Sequence, residues 1–92
     1  MTEKIIVSRT EVVVEIAPST LKHGKTHQDI FAVLENTIHD ETLETDPNKT
    51  LLIGFDSNAN LTEILLHVAS DVYIVVYHAT ECRKIYLDKI LK

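Results

Sequence analysis

The sequence predicts a small α+β protein that folds as a single domain over residues 1–92. Its predicted elements are one or more N-terminal strands, two helices, a three-stranded antiparallel sheet and a C-terminal helix. Three observations predict this class. The chain has 92 residues, which is too short for two ordinary domains. Its composition, 45% hydrophobic and 25% charged, is typical of a globular protein. Runs of β-branched residues alternate with segments of helical hydrophobic spacing.

The N-terminal part of the chain predicts strands followed by a short helical turn. Residues 5–16 are rich in valine and isoleucine and predict one or two strands, with a hairpin left open. Pro18 ends this segment, because proline fits a strand interior poorly and the first turn of a helix well. Residues 19–23 then form one predicted helical turn, with Gly24 as its C-terminal cap.

A longer amphipathic helix is predicted over residues 27–39. Thr26 and Asp29 have the spacing of a capping box, in which each side chain accepts the other residue's backbone N–H. The apolar residues that follow recur at helical spacing. The acidic stretch over residues 35–46 is interpreted as the end of this helix and a loop, followed by a turn at Pro47.

The C-terminal half predicts three antiparallel strands and a helix. Residues 51–54 and 61–68 are apolar runs joined by a loop of turn-forming residues. Residues 72–78 form a third run with so few polar side chains that we expect it at the centre of the sheet. Thr80 is predicted to cap the last helix. The stripe of that helix consists of Cys82, Ile85, Tyr86 and Ile90, interrupted by Lys89.

Charge is distributed unevenly along the chain. Nine Lys and Arg residues against fourteen Asp and Glu residues give a net charge of −5, and all of the excess lies in residues 1–46. No Lys or Arg occurs between Lys25 and Lys49. A chain of this charge is not expected to bind nucleic acid by phosphate neutralisation alone. The acidic stretch is either an ordinary solvated surface or a docking surface for a basic partner.

Several common kinds of site are disfavoured. The single cysteine, Cys82, permits no intramolecular disulfide and no zinc-finger spacing. His23 and His27 have the spacing of a metal-binding pair on a helix, but Gly24 interrupts that helix, so no metal site is predicted. Gly24 and Gly54 are the only glycines, which rules out glycine-rich phosphate loops, and no cofactor is predicted. The short apolar run at residues 5–7 has the pattern of neither a signal peptide nor a membrane-spanning segment. We therefore expect a cytoplasmic protein without membrane contact.

An ordered set of short fragments is similar to a known family. The fragments are Lys22-His23-Gly24, Asp29-Ile30, Asp46-Pro47 with Thr50-Leu51-Leu52-Ile53-Gly54, Asn60-Leu61-Thr62-Glu63, His78-Ala79, Arg83 and Tyr86-Leu87. In this order they resemble the BrnT-like toxins of bacterial type II toxin–antitoxin systems, over roughly residues 20–87. The resemblance implies a RelE-like fold, ribonuclease activity on messenger RNA, usually at the ribosome, and a cognate antitoxin as partner.

Candidate site residues follow from this resemblance. RNA cleavage without a metal needs a base for the 2′-hydroxyl proton, a cation or hydrogen-bond donor for the phosphate, and an acid for the leaving 5′-oxygen. The candidates are His78, Arg83, His23, Glu63 and Tyr86. Each has a structural alternative: His78 as a core histidine bonded to backbone, Arg83 in an ion pair, His23 as a helix cap, Glu63 as an outward strand residue and Tyr86 as a core residue.

Two hypotheses from different functional classes remain open. The first is a toxin that cleaves RNA without a metal, chiefly through His78 and Arg83, and that is held by its antitoxin. The second is a catalytically inactive RelE-like module that binds a protein partner through its acidic surface. A small α+β domain outside this family is a third alternative, and the oligomeric state, including a homo-oligomer, stays open.

Overall fold

A computed structural model of the protein describes residues 2–7, 10–45 and 47–91. Within these ranges the strands are β1 (Thr2–Val7), β2 (Thr10–Ile16), β3 (Thr37–Thr45), β4 (Asn48–Phe55), β5 (Leu61–Ser70) and β6 (Tyr73–Glu81). The helical elements are a 3₁₀ helix (Pro18–His23), α1 (His27–Glu35) and α2 (Lys84–Ile90). The described chain is therefore mostly strand. No helix within it is long and apolar enough to cross a membrane.

The six strands form one mixed sheet in the order β1-β2-β6-β5-β4-β3. β1 and β2 are an antiparallel hairpin, so the two-strand alternative for the N-terminal segment is confirmed. β2 pairs in parallel with β6, from Val13 opposite Tyr73 to Ile16 opposite Val76. The remaining neighbours, β6 to β3, are all antiparallel. β6 therefore lies inside the sheet, as its apolar sequence predicts.

The predicted three-stranded antiparallel sheet is wrong, and so is the RelE-like arrangement built around it. Two strand pairings distinguish the observed sheet from the predicted one. The parallel β2–β6 pair joins segments from opposite ends of the chain, and a pairing of such high sequence separation leaves no local pattern. β3 adds a strand at the far edge of the sheet, where the sequence predicts a helix end and a loop.

Residues 37–45 of the acidic stretch form the strand β3, and their side chains alternate between the two faces of the sheet. Half-buried and exposed positions alternate from Thr37 to Glu44, and Leu43 packs on the side covered by α2. This is the two-residue period of a strand. The predicted helix over residues 27–39 is consequently too long. α1 ends at Glu35, and the Thr37 hydroxyl donates to the Val33 carbonyl (2.7 Å) where the chain leaves the helix.

The capping predictions can be compared with the observed ends of the 3₁₀ helix, α1 and α2. The Thr26 hydroxyl accepts the Asp29 N–H (3.1 Å) and the Asp29 carboxylate accepts the Thr26 N–H (3.0 Å), which confirms the capping box. Gly24 ends the 3₁₀ helix with φ 86°, a left-handed conformation that glycine adopts without strain. The prediction for Thr80 is wrong. β6 continues past this residue, and Arg83 occupies the N-cap position of α2.

Each face of the sheet has its own apolar core. The core under α1 and the 3₁₀ helix consists of Val14, Ile16, Ile30, Val33, Ile64, Leu66, Val76 and Ala79. The core under α2 consists of Leu51, Ile53 and Leu65, with Leu43, Leu61, Tyr77, Cys82, Tyr86 and Ile90 packed against it. Ile85, predicted in the buried stripe of α2, is 65% exposed. Lys89, which interrupts the predicted stripe, donates to the Glu41 carboxylate on β3 (3.0 Å).

Candidate functional site

The centre of the candidate site is the carboxylate of Glu63, on β5. Its side chain is fully buried, yet both oxygens have donors. Arg83 donates its backbone N–H to Oε1 (2.7 Å), its Nε to both oxygens (3.1 and 3.0 Å) and its Nη2 to Oε2 (2.7 Å). His78 Nε2 lies 2.9 Å from Oε2. These contacts are needed, because a buried carboxylate without donors is strongly destabilising.

A β-bulge explains how His78 reaches Glu63. The register between β5 and β6 shifts between Leu65 and Leu66, so that β6 contains one extra residue, Tyr77, at this point. Tyr77 packs in the core under α2, and His78 turns to the same face to meet Glu63. Regular alternation would place these two neighbours on opposite faces. The bulge therefore aims the imidazole at the carboxylate.

Electrostatics set the protonation of this group. Burial raises the pKa of Glu63, but hydrogen bonds from Arg83 and His78 outweigh burial and hold the pKa below its usual value. The same contact raises the pKa of Arg83. Because an ionised carboxylate only accepts hydrogen bonds, His78 must donate from Nε2. Nδ1 of the neutral imidazole is then unprotonated, and it has no hydrogen-bond partner among the residues that the structure describes.

His23 reaches the cluster from the 3₁₀ helix. That helix lies beside the second half of β6, where β2 has left the sheet. The Ala17 N–H and the Thr20 hydroxyl both donate to the Val76 carbonyl at 2.9 Å. The His23 ring meets His78 edge-on, with 5.8 Å between the ring centroids. His23 is exposed, whereas the His78 side chain is 19% exposed.

Arg83 and Tyr86 form the outer part of the site. The Arg83 side chain is 50% exposed although its Nε and Nη2 contact Glu63. Its guanidinium carbon lies 5.3 Å from the centroid of the Tyr86 ring, within the range of a cation–π contact. Tyr86 also packs in the core under α2. The guanidinium is thus oriented by a carboxylate and a ring, while its remaining N–H groups have no partner among the described residues.

The structure brings all five predicted site residues together. These are His23, Glu63, His78, Arg83 and Tyr86. The alternative that placed Glu63 outward on its strand is wrong, because this side chain is fully buried. His78 bonds a carboxylate rather than the backbone. Arg83 does form an ion pair, and Tyr86 does pack in a core, as their alternatives predict.

A buried ion pair beside His23 is not predicted by the sequence. Lys25 Nζ lies 2.7 Å from Asp56 Oδ2, with side-chain exposures of 8% and 2%. Asp56 Oδ1 also accepts the N–H groups of Asn58 (2.8 Å) and Asn60 (2.9 Å), which closes the loop between β4 and β5. Burial raises the pKa of Asp56, but Lys25 and these two N–H groups hold it below its usual value. The loop composition indicates the turn, whereas nothing local indicates the partner lysine.

The described residues contain no group of three or more His, Cys, Asp or Glu side chains that could hold a metal ion. Comparisons with known proteins give no further assignment. No protein-family model matches the sequence, no curated protein matches it, and no solved structure matches the chain. Function is therefore inferred from the chemistry of the site itself.

Proposed function

We propose that this chain is an endoribonuclease that cleaves RNA without a metal ion, at the site formed by Glu63, His78, Arg83 and His23. One observation carries the proposal: a single buried carboxylate holds both an imidazole and a guanidinium at the protein surface. Attack by a 2′-hydroxyl requires a base, a group that stabilises the charge on the phosphate, and an acid. The oriented imidazole and the accessible cation supply the first two. A second imidazole, 5.8 Å from the first, supplies the third.

His78 is the general base in this proposal. Its Nε2 is held by Glu63 at 2.9 Å, so that Nδ1 takes the proton of the attacking 2′-hydroxyl. When the ring becomes charged, the adjacent carboxylate stabilises the imidazolium. Glu63 is a positioning residue, because it acts through His78 and Arg83 and is fully buried.

Arg83 stabilises the charge that develops on the phosphate. Its Nε and Nη2 contact Glu63, and the rest of the half-exposed guanidinium is left for phosphate oxygens. A guanidinium suits this role because its planar array of N–H donors matches a phosphate and stays charged. Lys22 and Lys84, both exposed, flank His23 and Arg83 in the sequence. They offset the net negative charge of the protein near the site.

His23 is the acid that protonates the leaving 5′-oxygen. It is exposed and its ring lies next to His78. Two imidazoles on either side of one phosphodiester can move both protons of the reaction, one ring acting as the base and the other as the acid. The 2′-oxygen forms a bond to phosphorus as its proton passes to His78. The bond between phosphorus and the 5′-oxygen breaks as a proton passes from His23 to that oxygen. The products are a 2′,3′-cyclic phosphate and a 5′-hydroxyl.

We expect the purified chain to cleave single-stranded RNA in the presence of EDTA and to give these two end groups. His78→Ala should lower the cleavage rate by about 10²- to 10⁴-fold, the usual effect of losing a general base. The measurement is the rate of cleavage of an end-labelled oligonucleotide. A substrate with a 2′-deoxy sugar at the cleaved position should not react.

His39→Ala is the matched control for this experiment. His39 lies on β3 and pairs with Glu41, outside the cluster. This variant should cleave at the wild-type rate, and circular dichroism should show that both variants are folded. The nuclease proposal is wrong if the wild type leaves RNA intact, or if His78→Ala cleaves as fast as the wild type.

The resemblance to BrnT-like toxins supplies a biological setting. We propose that the chain acts on messenger RNA as a toxin and that a cognate antitoxin protein neutralises it. Tightly controlled expression in a bacterial host should arrest growth and create new RNA 5′ ends. The double variant His78→Ala, Arg83→Ala should do neither. Normal growth with unchanged RNA in the wild type would contradict the toxin setting.

A second candidate function, binding of a basic protein partner, is favoured by the position of the acidic stretch. β3 is an edge strand, and Asp40 and Glu44 are exposed on it. An edge strand presents unpaired backbone groups to an added strand, and exposed acids favour a basic one. Normal growth in the expression experiment would favour this function over the nuclease.

A further inference from the structure

A polar pocket of about 420 Å³ lies beside the proposed nuclease site and shares His23 with it. The opposite wall is the loop between β4 and β5, which contributes Asn58 and Asn60, and the end of β6 contributes Glu81. The pocket is therefore placed to receive the part of an RNA chain that follows the scissile phosphate on the His23 side.

The loop that forms one wall of this pocket is held in place by contacts within the protein. Lys25 and Asp56 form the buried ion pair described above, with 2.7 Å between Nζ and Oδ2. The Ser57 hydroxyl donates to the carboxylate of Asp29, which forms the capping box of α1 with Thr26. The loop is thus tied to the start of α1 at two points. A preformed pocket binds its ligand without the entropic cost of ordering a loop.

The free polar groups of the pocket indicate the class of ligand. Lys25, Asp29 and Asp56 are already engaged by protein partners. The carboxylate of Glu81 and the side-chain amides of Asn58 and Asn60 have no hydrogen-bond or ion-pair partner within the described residues. The lining thus combines an uncompensated negative charge with two amides. A phosphate group would be repelled here, whereas a nucleobase that presents N–H donors would be held.

We propose that this pocket binds the guanine base of the nucleotide on the 3′ side of the cleaved bond, with Glu81 accepting its N1–H and 2-amino hydrogen bonds. Guanine is the base with two adjacent donor groups on one edge, which match the two oxygens of a carboxylate. Asn58 and Asn60 then contact the remaining polar atoms of the base. This inference rests on the proposed nuclease function, because the acid role of His23 places the 3′-side nucleotide at the pocket.

The test uses DNA oligonucleotides that contain a single uridine as the one cleavable position. The next nucleotide is deoxyguanosine, deoxyinosine, deoxyadenosine or deoxycytidine. Deoxyinosine differs from deoxyguanosine only by loss of the 2-amino group. The wild type should cleave the guanine substrate about 10-fold faster than the hypoxanthine substrate, in line with one lost base contact. Glu81→Ala should bring this ratio close to one. Glu35→Ala, which removes an exposed acid at the end of α1, should keep it.

The outcomes separate this inference from the function on which it rests. Equal wild-type rates on all four substrates, or an unchanged ratio in Glu81→Ala, would overturn the guanine assignment and leave the nuclease standing. Absence of cleavage would overturn the nuclease, and NMR titration then tests the pocket without catalysis. Guanosine should shift the backbone amide signals of Asn58 and Asn60 more than inosine does, and Glu81→Ala should remove the difference. No shift with guanosine overturns the pocket assignment.

Discussion

Replacement of Arg83 by alanine should lower the free energy of unfolding by about 2–3 kcal/mol at pH 7. The variant leaves the carboxylate of Glu63 buried without its guanidinium, and breaking a buried ion pair from one side costs about 3–5 kcal/mol. The expected loss is smaller than this range because the Arg83 side chain is 50% exposed, so that water screens the pair, and because His78 and the N–H of residue 83 still donate to Glu63. Urea unfolding of both proteins measures it.

The pH dependence of stability should change with the same substitution. In the wild type the pKa of Glu63 lies below its usual value of about 4.3. Its contribution is therefore complete above that value and is lost as pH falls through the lowered pKa. In Arg83→Ala, burial without the guanidinium should raise the pKa of Glu63, so that protonation relieves the buried charge. The stability difference between the two proteins should shrink from pH 7 to pH 4.

Two further variants identify the cause of the effect. Lys84→Ala removes the neighbouring cation, which is exposed and lies 3.8 Å from Asp88, and should change stability little. Adding Glu63→Gln to Arg83→Ala should recover part of the loss, because a buried amide carries no charge. An Arg83→Ala protein as stable as the wild type at pH 7 would show that this ion pair does not hold the site together.

Replacement of Asp56 by alanine should lower the free energy of unfolding by about 3–5 kcal/mol. The ammonium group of Lys25 would remain 8% exposed without a counter-charge, and the N–H groups of Asn58 and Asn60 would lose their acceptor. A buried charge without a partner is the larger of these two costs. Thermal and urea unfolding of the variant should agree on the loss.

Milder substitutions separate the charge of Asp56 from its role in the turn. Asp56→Asn keeps an acceptor oxygen for the two N–H groups but loses the charge, so it should destabilise less than alanine. Lys25→Met combined with Asp56→Asn should be more stable than Asp56→Asn alone, because no buried charge is left unpaired. Because the pKa of Asp56 is lowered, the pair's contribution should fall as pH drops below about 4. Equal stability of Asp56→Ala and wild type would contradict the role of the pair.

Local patterns predicted the features that neighbouring residues stabilise. Thr26 and Asp29 cap α1 across three positions, and Gly24 ends the 3₁₀ helix through its own backbone conformation. Such contacts lie within one turn of chain, so the sequence displays them directly. The apolar run of β6 likewise indicates an interior strand, because a strand that is covered on both faces of the sheet has few positions for polar side chains.

The acidic strand β3 shows where such patterns fail. An edge strand that is only half-buried on one face contains few apolar residues, so its composition resembles that of a helix end and a loop. Its identity as a strand depends on pairing with β4, from Thr37 opposite Gly54 to Thr45 opposite Asn48. Strand propensity is decided by such neighbours more than by the backbone itself. The prediction of a helix end and a loop is wrong for residues 37–45 for this reason.

The candidate site is likewise only partly predictable from the sequence. Its five candidate residues belong to short fragments that resemble a family, and nothing in their spacing indicates that Glu63 is buried between His78 and Arg83. The Lys25–Asp56 pair joins residues from two separate loops and leaves no motif. Nothing in the sequence distinguishes Glu81 from the other acidic residues. Only its position in the pocket beside His23 does so.

By itself the sequence determined where α1 begins, where the 3₁₀ helix ends and which run forms an apolar interior strand, because these features depend on residues a few positions apart. Only the tertiary structure decided that β2 joins β6 in parallel, that residues 37–45 form a strand, and that one buried carboxylate holds an imidazole and a guanidinium together. Those features depend on contacts between distant segments, whose free energy is set by burial and pairing in the complete fold.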